Sequence, residues 1–300
     1  MDEVIYKERQ SDNVVGLESL PHNGALHSSV HRASSHESVG LASERPESRI
    51  ELIWPPSSIP SELDERDVHV WSFRLDVSPA CLKRFESCLS MDERERASRF
   101  HFEQHRNRYV AGRGWLRELL SAYLEVTPEK IGFDYGPYGK PALSGQSAHQ
   151  GIDFNLSHSD SIALAGVTRA GPLGLDIECV RALADMGELV NRFFSQRESL
   201  VFKQLEPEEQ LAGFFNLWTR KEAWLKATGQ GISQYLNQVE VSFLPGQNAH
   251  FLKLPEGFPS AHEWSLHDLE PGRGLKGALA IAVKETRISR WQWCDNARSL

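Results

Sequence analysis

A strand-like segment with acids at alternate positions, Gly174-Leu175-Asp176-Ile177-Glu178, is followed well downstream by a helical run, Trp218-Thr219-Arg220-Lys221-Glu222-Ala223-Trp224-Leu225-Lys226. Alternation puts Asp176 and Glu178 on one face of the strand, and i, i+4 spacing puts Glu222 and Lys226 together on the helix. Leu175 and Ile177 call for burial behind the strand, while Phe214, Leu217, Trp218 and Leu225 form the apolar stripe of the helix. A fold in which a sheet and a later helix meet brings three carboxylates and one ammonium to a point. Such a donor set suits Mg2+, which takes oxygen ligands and keeps substrate phosphates in its shell, with a lysine for the remaining charge of a polyphosphate. Taken singly, the strand acids read equally as a solvated or ion-paired strand end. Glu222 and Lys226 alone read as an i, i+4 pair worth roughly a few tenths of a kcal/mol. Two tryptophans beside them speak against a surface helix.

The rest of the composition narrows the class. Forty per cent hydrophobic content, with eight Trp and fourteen Phe, supports a sizeable core. A formal charge of −8 argues against a general nucleic-acid binder, so polyanion binding has to be local. Four scattered cysteines, no opening apolar run and no long apolar window lead to the expectation of a cytoplasmic protein without a membrane span.

Residues 1–50 hold nine Ser, four His and one aromatic, Tyr6, and are expected to form a disordered tail. Past Trp54-Pro55-Pro56, the segment Val68–Leu75 alternates as a strand. Ser90 with Glu93 is a capping-box signature opening two helical stretches to Leu124. Seven arginines lie there, Arg94, Arg96, Arg99, Arg106, Arg108, Arg113 and Arg117, which fit either a solvated face or anion binding. Phe133–Pro141 reads as a loop presenting Lys140. Strands at 152–156 and 161–167 flank Ser157-His158-Ser159-Asp160, read as a turn in which His158 is a turn residue, a partly buried histidine or a phosphate ligand. Helices are expected over 183–194, 195–204 and 208–228, the last stopped by Gly229, and strands near 239–243, 263–269 and 278–283.

Three further motifs carry little. Gly272-Arg273-Gly274-Leu275-Lys276-Gly277 has the dinucleotide spacing but precedes a strand, so a hairpin turn is expected. His101-Phe102-Glu103-Gln104-His105 has its Glu one position late for a zinc protease and reads as surface helix. Asn155-Leu156-Ser157 has no meaning as a glycosylation triplet without secretion.

Tyr138-Gly139-Lys140-Pro141, Phe154-Asn155-Leu156-Ser157-His158-Ser159, Gly174–Glu178, Phe193-Phe194-Ser195-Gln196-Arg197-Glu198 and Trp218-x-x-Lys221-Glu222-Ala223-x-x-Lys226-x-x-Gly229-x-Gly231 occur in a set order. Together they resemble the 4′-phosphopantetheinyl transferases, specifically the broad-specificity type that activates surfactin synthetase. The resemblance spans about residues 90–232. It does not extend to residues 1–50, and over the last stretch it survives only as a strand pattern.

The resemblance implies an α/β (α+β) pseudodimer of two similar subdomains, each a small sheet with packed helices, with the active site in the cleft between them. Residues 51–170 and 171–300 are then the two subdomains. It implies transfer of phosphopantetheine from coenzyme A to a serine of an apo acyl, peptidyl or aryl carrier protein, an activity of the holo-acyl-carrier-protein synthase type. Adenosine 3′,5′-bisphosphate is the other product, the cofactor is Mg2+, and the expected state is a monomer. By position, Asp176, Glu178 and Glu222 resemble the metal ligands. Lys140, Ser157 and His158 resemble the group around the nucleotide, and Lys226 the diphosphate lysine. Arg96 and Tyr109 fall at further nucleotide contacts. Glu222 is the candidate base, with Lys226 and His158 meeting charge on the diphosphate.

The resemblance places carrier docking on Val180–Phe194, with Met186, Leu189 and Val190; a helix buried in the core is the other reading of that pattern. Two other functions use the same residues: a Mg2+-dependent phosphodiesterase or nucleotide hydrolase, and a non-catalytic coenzyme A or carrier binding protein.

Overall fold

The computed structural model describes residues 50–58, 60–231 and 235–294, so all of the expected N-terminal tail except Ile50 lies outside the described residues. The first strand, β1 (Pro56–Ser57), is followed by β2 (Asp67–Arg74), whose alternation splits Val68 and Val70 from Trp71 and Phe73. Three helices come next. In α1 (Pro79–Cys88), which the sequence reading passed over, Ser78 accepts from the Cys81 amide at 3.3 Å, and Pro79 opens the first turn, where its missing N–H costs nothing. The capping box of Ser90 and Glu93 starts α2 (Met91–Ser98), and α3 (Glu103–Leu124) is the long helix. A small hairpin, β3 (Phe133–Tyr135) and β4 (Pro141–Leu143), precedes the paired strands β5 (Asp153–Ser159) and β6 (Ile162–Thr168).

The same order then repeats. Strand β7 (Leu173–Cys179) leads to α4 (Met186–Phe193), α5 (Gln196–Phe202) and the long α6 (Pro207–Thr228). The small pair β8 (Glu240–Val241) and β9 (Phe251–Lys253) follows, then β10 (Ser265–Leu269) and β11 (Leu275–Ile281). In both halves the last strand lies antiparallel between the other two, giving β2-β6-β5 and β7-β11-β10. The expected pairing of two similar subdomains is thus visible as a repeated topology. A final strand, β12 (Arg287–Trp293), which the sequence reading missed, returns to the first sheet and lies parallel between β1 and β2.

Three cores fix the layers. Trp71, Phe73, Phe154 and Val167 pack under α1 and α3 with Phe85, Trp115, Leu116 and Leu119. Val68, Val70, Ile162 and Leu164 meet Leu173, Leu175, Ile177, Leu279 and Ile281 between the two sheets. Beyond the second sheet, Ala278 and Ala280 face Phe214, Phe215, Trp218 and Trp224 of α6. Apolar residues on both faces of β2, β6 and β11 are what a sheet covered on both sides requires. No helix among the described residues is long and apolar enough to cross a membrane.

Several expectations need correction. Ser157, His158 and Ser159 are strand residues: the turn is only Asp160-Ser161, with Asp160 at φ 50°, a left-handed conformation Asp tolerates in a two-residue hairpin loop. Phe133–Pro141 is a hairpin closed by the Gly136 amide on the Lys140 carbonyl at 2.9 Å, not an open loop. The seven arginines are not one face. Arg113 and Arg117 are buried against Glu93 at 2.5 and 2.8 Å, Arg108 bridges Asp76 and Asp160, and Arg106 meets Glu86, so most serve as ion-pair staples. The Gly272–Gly277 motif spans the β10–β11 turn and the first three residues of β11, a hairpin as expected, and of the two exposed histidines His105 lies on α3 while His101 stands just before it.

Candidate active site

The candidate site forms where α6 lies on β7, and a glycine sets how close they come. A Cβ at Gly174 would stand 2.1 Å from the Ala227 amide nitrogen and 2.2 Å from the Ala223 carbonyl oxygen, so helix backbone rests directly on strand backbone. That approach carries Glu222 and Lys226 to the acids of β7. Lys226 Nζ lies 2.6 Å from Asp176 Oδ1 and 2.8 Å from Ser157 Oγ, and Ser157 donates to Asp176 Oδ1 at 3.0 Å. Asp176 Oδ2 and Glu222 Oε1 are buried without a partner. Glu178, fully buried, accepts from Ser159 Oγ at 3.0 Å.

The second strand of the site is β5, joined to β7 by side chains instead of a backbone ladder. Asp153 accepts from the Leu173 amide, Asn155 from the Leu175 amide, and Ser159 from the Cys179 amide. Residues of β5 at every second position thus satisfy alternate donors along the edge of β7. Ser157 belongs to this series, which is why it reaches Asp176. No site role was assigned to Asp153, Asn155 or Ser159, although Asn155 and Ser159 stand in the Phe154–Ser159 block; the signal for their role is the polar alternation Asp153-x-Asn155-x-Ser157-x-Ser159 in an otherwise apolar hairpin.

Electrostatics follow from burial. The Glu222 carboxyl is pushed well above its usual range by burial and by Asp176, with Lys226 opposing and Glu178 adding. Burial also raises Asp176, against the pull of Lys226 and Ser157. For Lys226, burial acts to lower the ammonium, but Asp176 and Glu222 outweigh it and hold it above its ordinary value. His158 points the other way from Ser157, toward α3. It is half-buried with Nδ1 unpartnered, and burial, Lys226, Arg108 and His105 bring it down to about 4.

Of the residues expected here, the structure gathers Asp176, Glu178, Glu222, Lys226 and Ser157 into one cluster, with His158 beside it. Lys140 is tied across the same seam, its Nζ donating to Asp153 at 3.1 Å, the Leu173 carbonyl at 3.0 Å and the Ala227 carbonyl at 3.1 Å. The Arg96 guanidinium lies over the Tyr109 ring at 5.7 Å, and the groups that act on this pair are Arg113, Arg99, Glu93 and Tyr135, none of them from the Asp176–Glu178–Glu222 cluster. Lys221, next to Glu222, faces elsewhere. It is buried on Glu198 and the Leu236 carbonyl, tying the Ser195 capping box of α5 to α6.

Comparison with known proteins points to one family. A model of the 4′-phosphopantetheinyl transferase superfamily matches residues 172–283, and a 4′-phosphopantetheinyl transferase N-terminal model matches residues 76–169. Over 229 residues the chain is 39% identical to the 4′-phosphopantetheinyl transferase HetI of Nostoc sp., covering 76% of this chain and 93% of that protein. This chain belongs to the 4′-phosphopantetheinyl transferase superfamily. The transferase is also 36% identical over 216 residues to a putative 4′-phosphopantetheinyl transferase of Synechocystis sp., covering 71% of this chain and 82% of the relative. With the Bacillus subtilis transferase Sfp it shares 31% over 160 residues, or 53% of this chain and 68% of that one. The activity of the transferase is accordingly movement of a phosphopantetheine arm onto a carrier protein. The two family models meet between β6 and β7, at the seam that holds the site.

Proposed function

We propose that the cluster at the β5–β7–α6 junction is where coenzyme A gives up its phosphopantetheine arm to a serine of an apo acyl, peptidyl or aryl carrier protein. The observation that carries this reading is the pair of buried, unpartnered carboxylate oxygens, Asp176 Oδ2 and Glu222 Oε1, beside the Lys226 ammonium. Buried charge without a partner is costly, and hard oxygen donors suit a hard divalent cation. The residues therefore fit Mg2+, with Asp176, Glu178 and Glu222 as its ligands, although among the described residues no three such side chains stand ready to hold a metal as they are. Bound there, the cation supplies charge neutralisation and alignment of the diphosphate.

The side chains do the rest. Lys226 meets the diphosphate, and Lys140, Ser157 and His158 hold the nucleotide portion, with Arg96 and Tyr109 on its far side. The carrier serine is a weak nucleophile at neutral pH and needs a proton acceptor as it attacks phosphorus. Glu222, the carboxylate that α6 turns toward the cluster, is the acceptor. The departing oxygen of adenosine 3′,5′-bisphosphate is met by Lys226 and His158. The carrier docks along residues 180–194, where Met186 and Leu189 are half-buried against the core and Arg192 is exposed to meet an acidic partner. The working unit is a cytoplasmic monomer of two subdomains, 51–170 and 171–300, with β12 lodged in the sheet of the first.

Intact-mass measurement on a panel of apo carriers, with coenzyme A and Mg2+, tests the reading and finds which carrier class is preferred. The expected result is a mass gain of one phosphopantetheine arm that is lost in Asp176→Asn and Glu222→Gln. Release of phosphopantetheine without mass gain would instead mean a phosphodiesterase, and neither product would mean a binding protein.

A further inference from the structure

The carboxylate best placed to take a metal is already holding a cation. Lys226 Nζ, Asp176 Oδ1 and Ser157 Oγ form a closed ring of three short contacts, 2.6, 2.8 and 3.0 Å, in which the lysine is a donor to both partners. Asp176 is 1% exposed, and the Lys226 side chain 13%. The ammonium is thus an internal counter-ion in a nearly dry site. Meanwhile Asp176 Oδ2 and Glu222 Oε1 stay unpartnered, so the one ammonium at Asp176 Oδ1 leaves an oxygen of each of these two carboxylates unsatisfied. A divalent ion arriving at those oxygens would meet the lysine across a single carboxylate, and like charges repel strongly in a low-dielectric site.

We infer that Lys226 is a stand-in for the metal. In the free protein it occupies Asp176 and keeps divalent cations weakly bound, and the diphosphate of coenzyme A draws it off the carboxylate and opens the site to the metal. This rests on the coenzyme A reading above. The long flexible stem of lysine, anchored in the last turn of α6, permits the exchange, since its charge is a compact point on rotatable bonds. Ser157 is the hinge partner: its hydroxyl bridges both ions and keeps a bond to Asp176 when the lysine leaves. Binding of coenzyme A and of metal is then mutually strengthening beyond their direct contact, and by linkage each tightens the other by the same factor.

The test uses Mn2+ as the metal probe on the full chain, its free concentration read by electron paramagnetic resonance, for wild type and Lys226→Met, without and with saturating coenzyme A. Without coenzyme A, Lys226→Met is expected to bind Mn2+ about ten-fold tighter than wild type, within the usual range of coupling between sites. With coenzyme A, the two should differ little, because the wild-type lysine has by then left Asp176. Equal affinities in the free proteins overturn the inference, and so does the same gain in both states, which would mean plain charge repulsion. Should Lys226→Met not fold, the ammonium resonance of Lys226 in 15N-labelled wild type decides. Held in place by Mg2+ alone and shifted by coenzyme A, it supports the exchange; shifted by Mg2+ alone, it refutes it. Absence of coenzyme A binding by calorimetry would sink the coenzyme A reading itself, whereas coenzyme A binding together with either of those refuting metal results sinks only this inference.

Discussion

Gly174→Ala is the most direct probe of the contact that builds the site. The added methyl would lie 2.1 Å from the Ala227 nitrogen, 2.2 Å from the Ala223 oxygen and 2.7 Å from the Lys226 carbonyl carbon. Non-bonded atoms prefer roughly 3.5 Å, so α6 must retreat from β7 by about 1 Å or more. All three opposing atoms are backbone, which removes the usual relief of a rotamer change. Overpacking costs about 1–3 kcal/mol, and backbone on both sides puts this case near 3 kcal/mol, or a fall of about 6–12 °C in Tm. The same retreat moves Glu222 and Lys226 away from Asp176, and a 1 Å misplacement of reacting groups costs about a hundred-fold in kcat/KM. Calorimetry and a carrier-loading assay read the two effects. Gly112→Ala is the control, because its added methyl would meet only Leu75 and Leu156 at ordinary contact, 3.7 and 3.9 Å, and in the interior of α3 the change should gain about 0.5–1 kcal/mol. A Gly174→Ala protein with unchanged Tm and unchanged turnover would refute the account of how helix and strand are spaced.

Lys221→Met strands Glu198 in the core and should cost about 3–5 kcal/mol in urea unfolding, while the double variant with Glu198→Gln should recover part of that loss. Held down to about 4 in the folded chain against 6.5 when unfolded, His158 makes the protein lose stability as pH falls through that window. Compared with wild type, His158→Asn should lose less between those pH values, by up to about 3 kcal/mol, and parallel curves would contradict the burial of its ring. Removal of residues 1–49 should leave turnover nearly unchanged. Removal of residues 1–57 also takes away Leu52 and Trp54, each 8% exposed, and should cost about 3 kcal/mol or more; equal stability of the two truncations would show that this segment is not part of the core.

Much of this was legible before any coordinates. Period-two acids and a period-3.6 stripe located β7 and α6, the Ser90–Glu93 spacing marked the start of α2, and the helix expected over 195–204 is α5. What escaped were features whose cause is not local. Strand β12 looked unremarkable because its place is set by pairing with β2, more than two hundred residues away in sequence. The arginines of α3 read as a solvated face or an anion site because charge alone does not reveal that Glu93 lies buried between Arg113 and Arg117. Ser157 to Ser159 read as a turn because serine and histidine are common in turns, whereas here their strand conformation is stabilised by bonds to β7.

The block Trp218-x-x-Lys221-Glu222-Ala223-x-x-Lys226 can be understood as the fixing of one helix about its own axis. Successive helical residues are about 100° apart, so Glu222 and Lys226 share a face while Lys221 points well away from them. Three anchors set the phase: Lys221 on Glu198, Arg220 on Asp268 and the Ser242 carbonyl, and the backbone of Ala223 and Ala227 against Gly174. The first half of the chain uses the same device, with Glu93 of a capping box holding Arg113 and Arg117 of its own long helix. There the device only holds the fold. In the second half it also aims the next residue: a rotation by one position that brought Glu222 to the place of Lys221 would set it against Glu198, two buried acids facing each other, and leave Ala223 at Asp176. The ion pair beside the site therefore selects which carboxylate faces β7, and the chemistry at Asp176 depends on a lysine that never touches it.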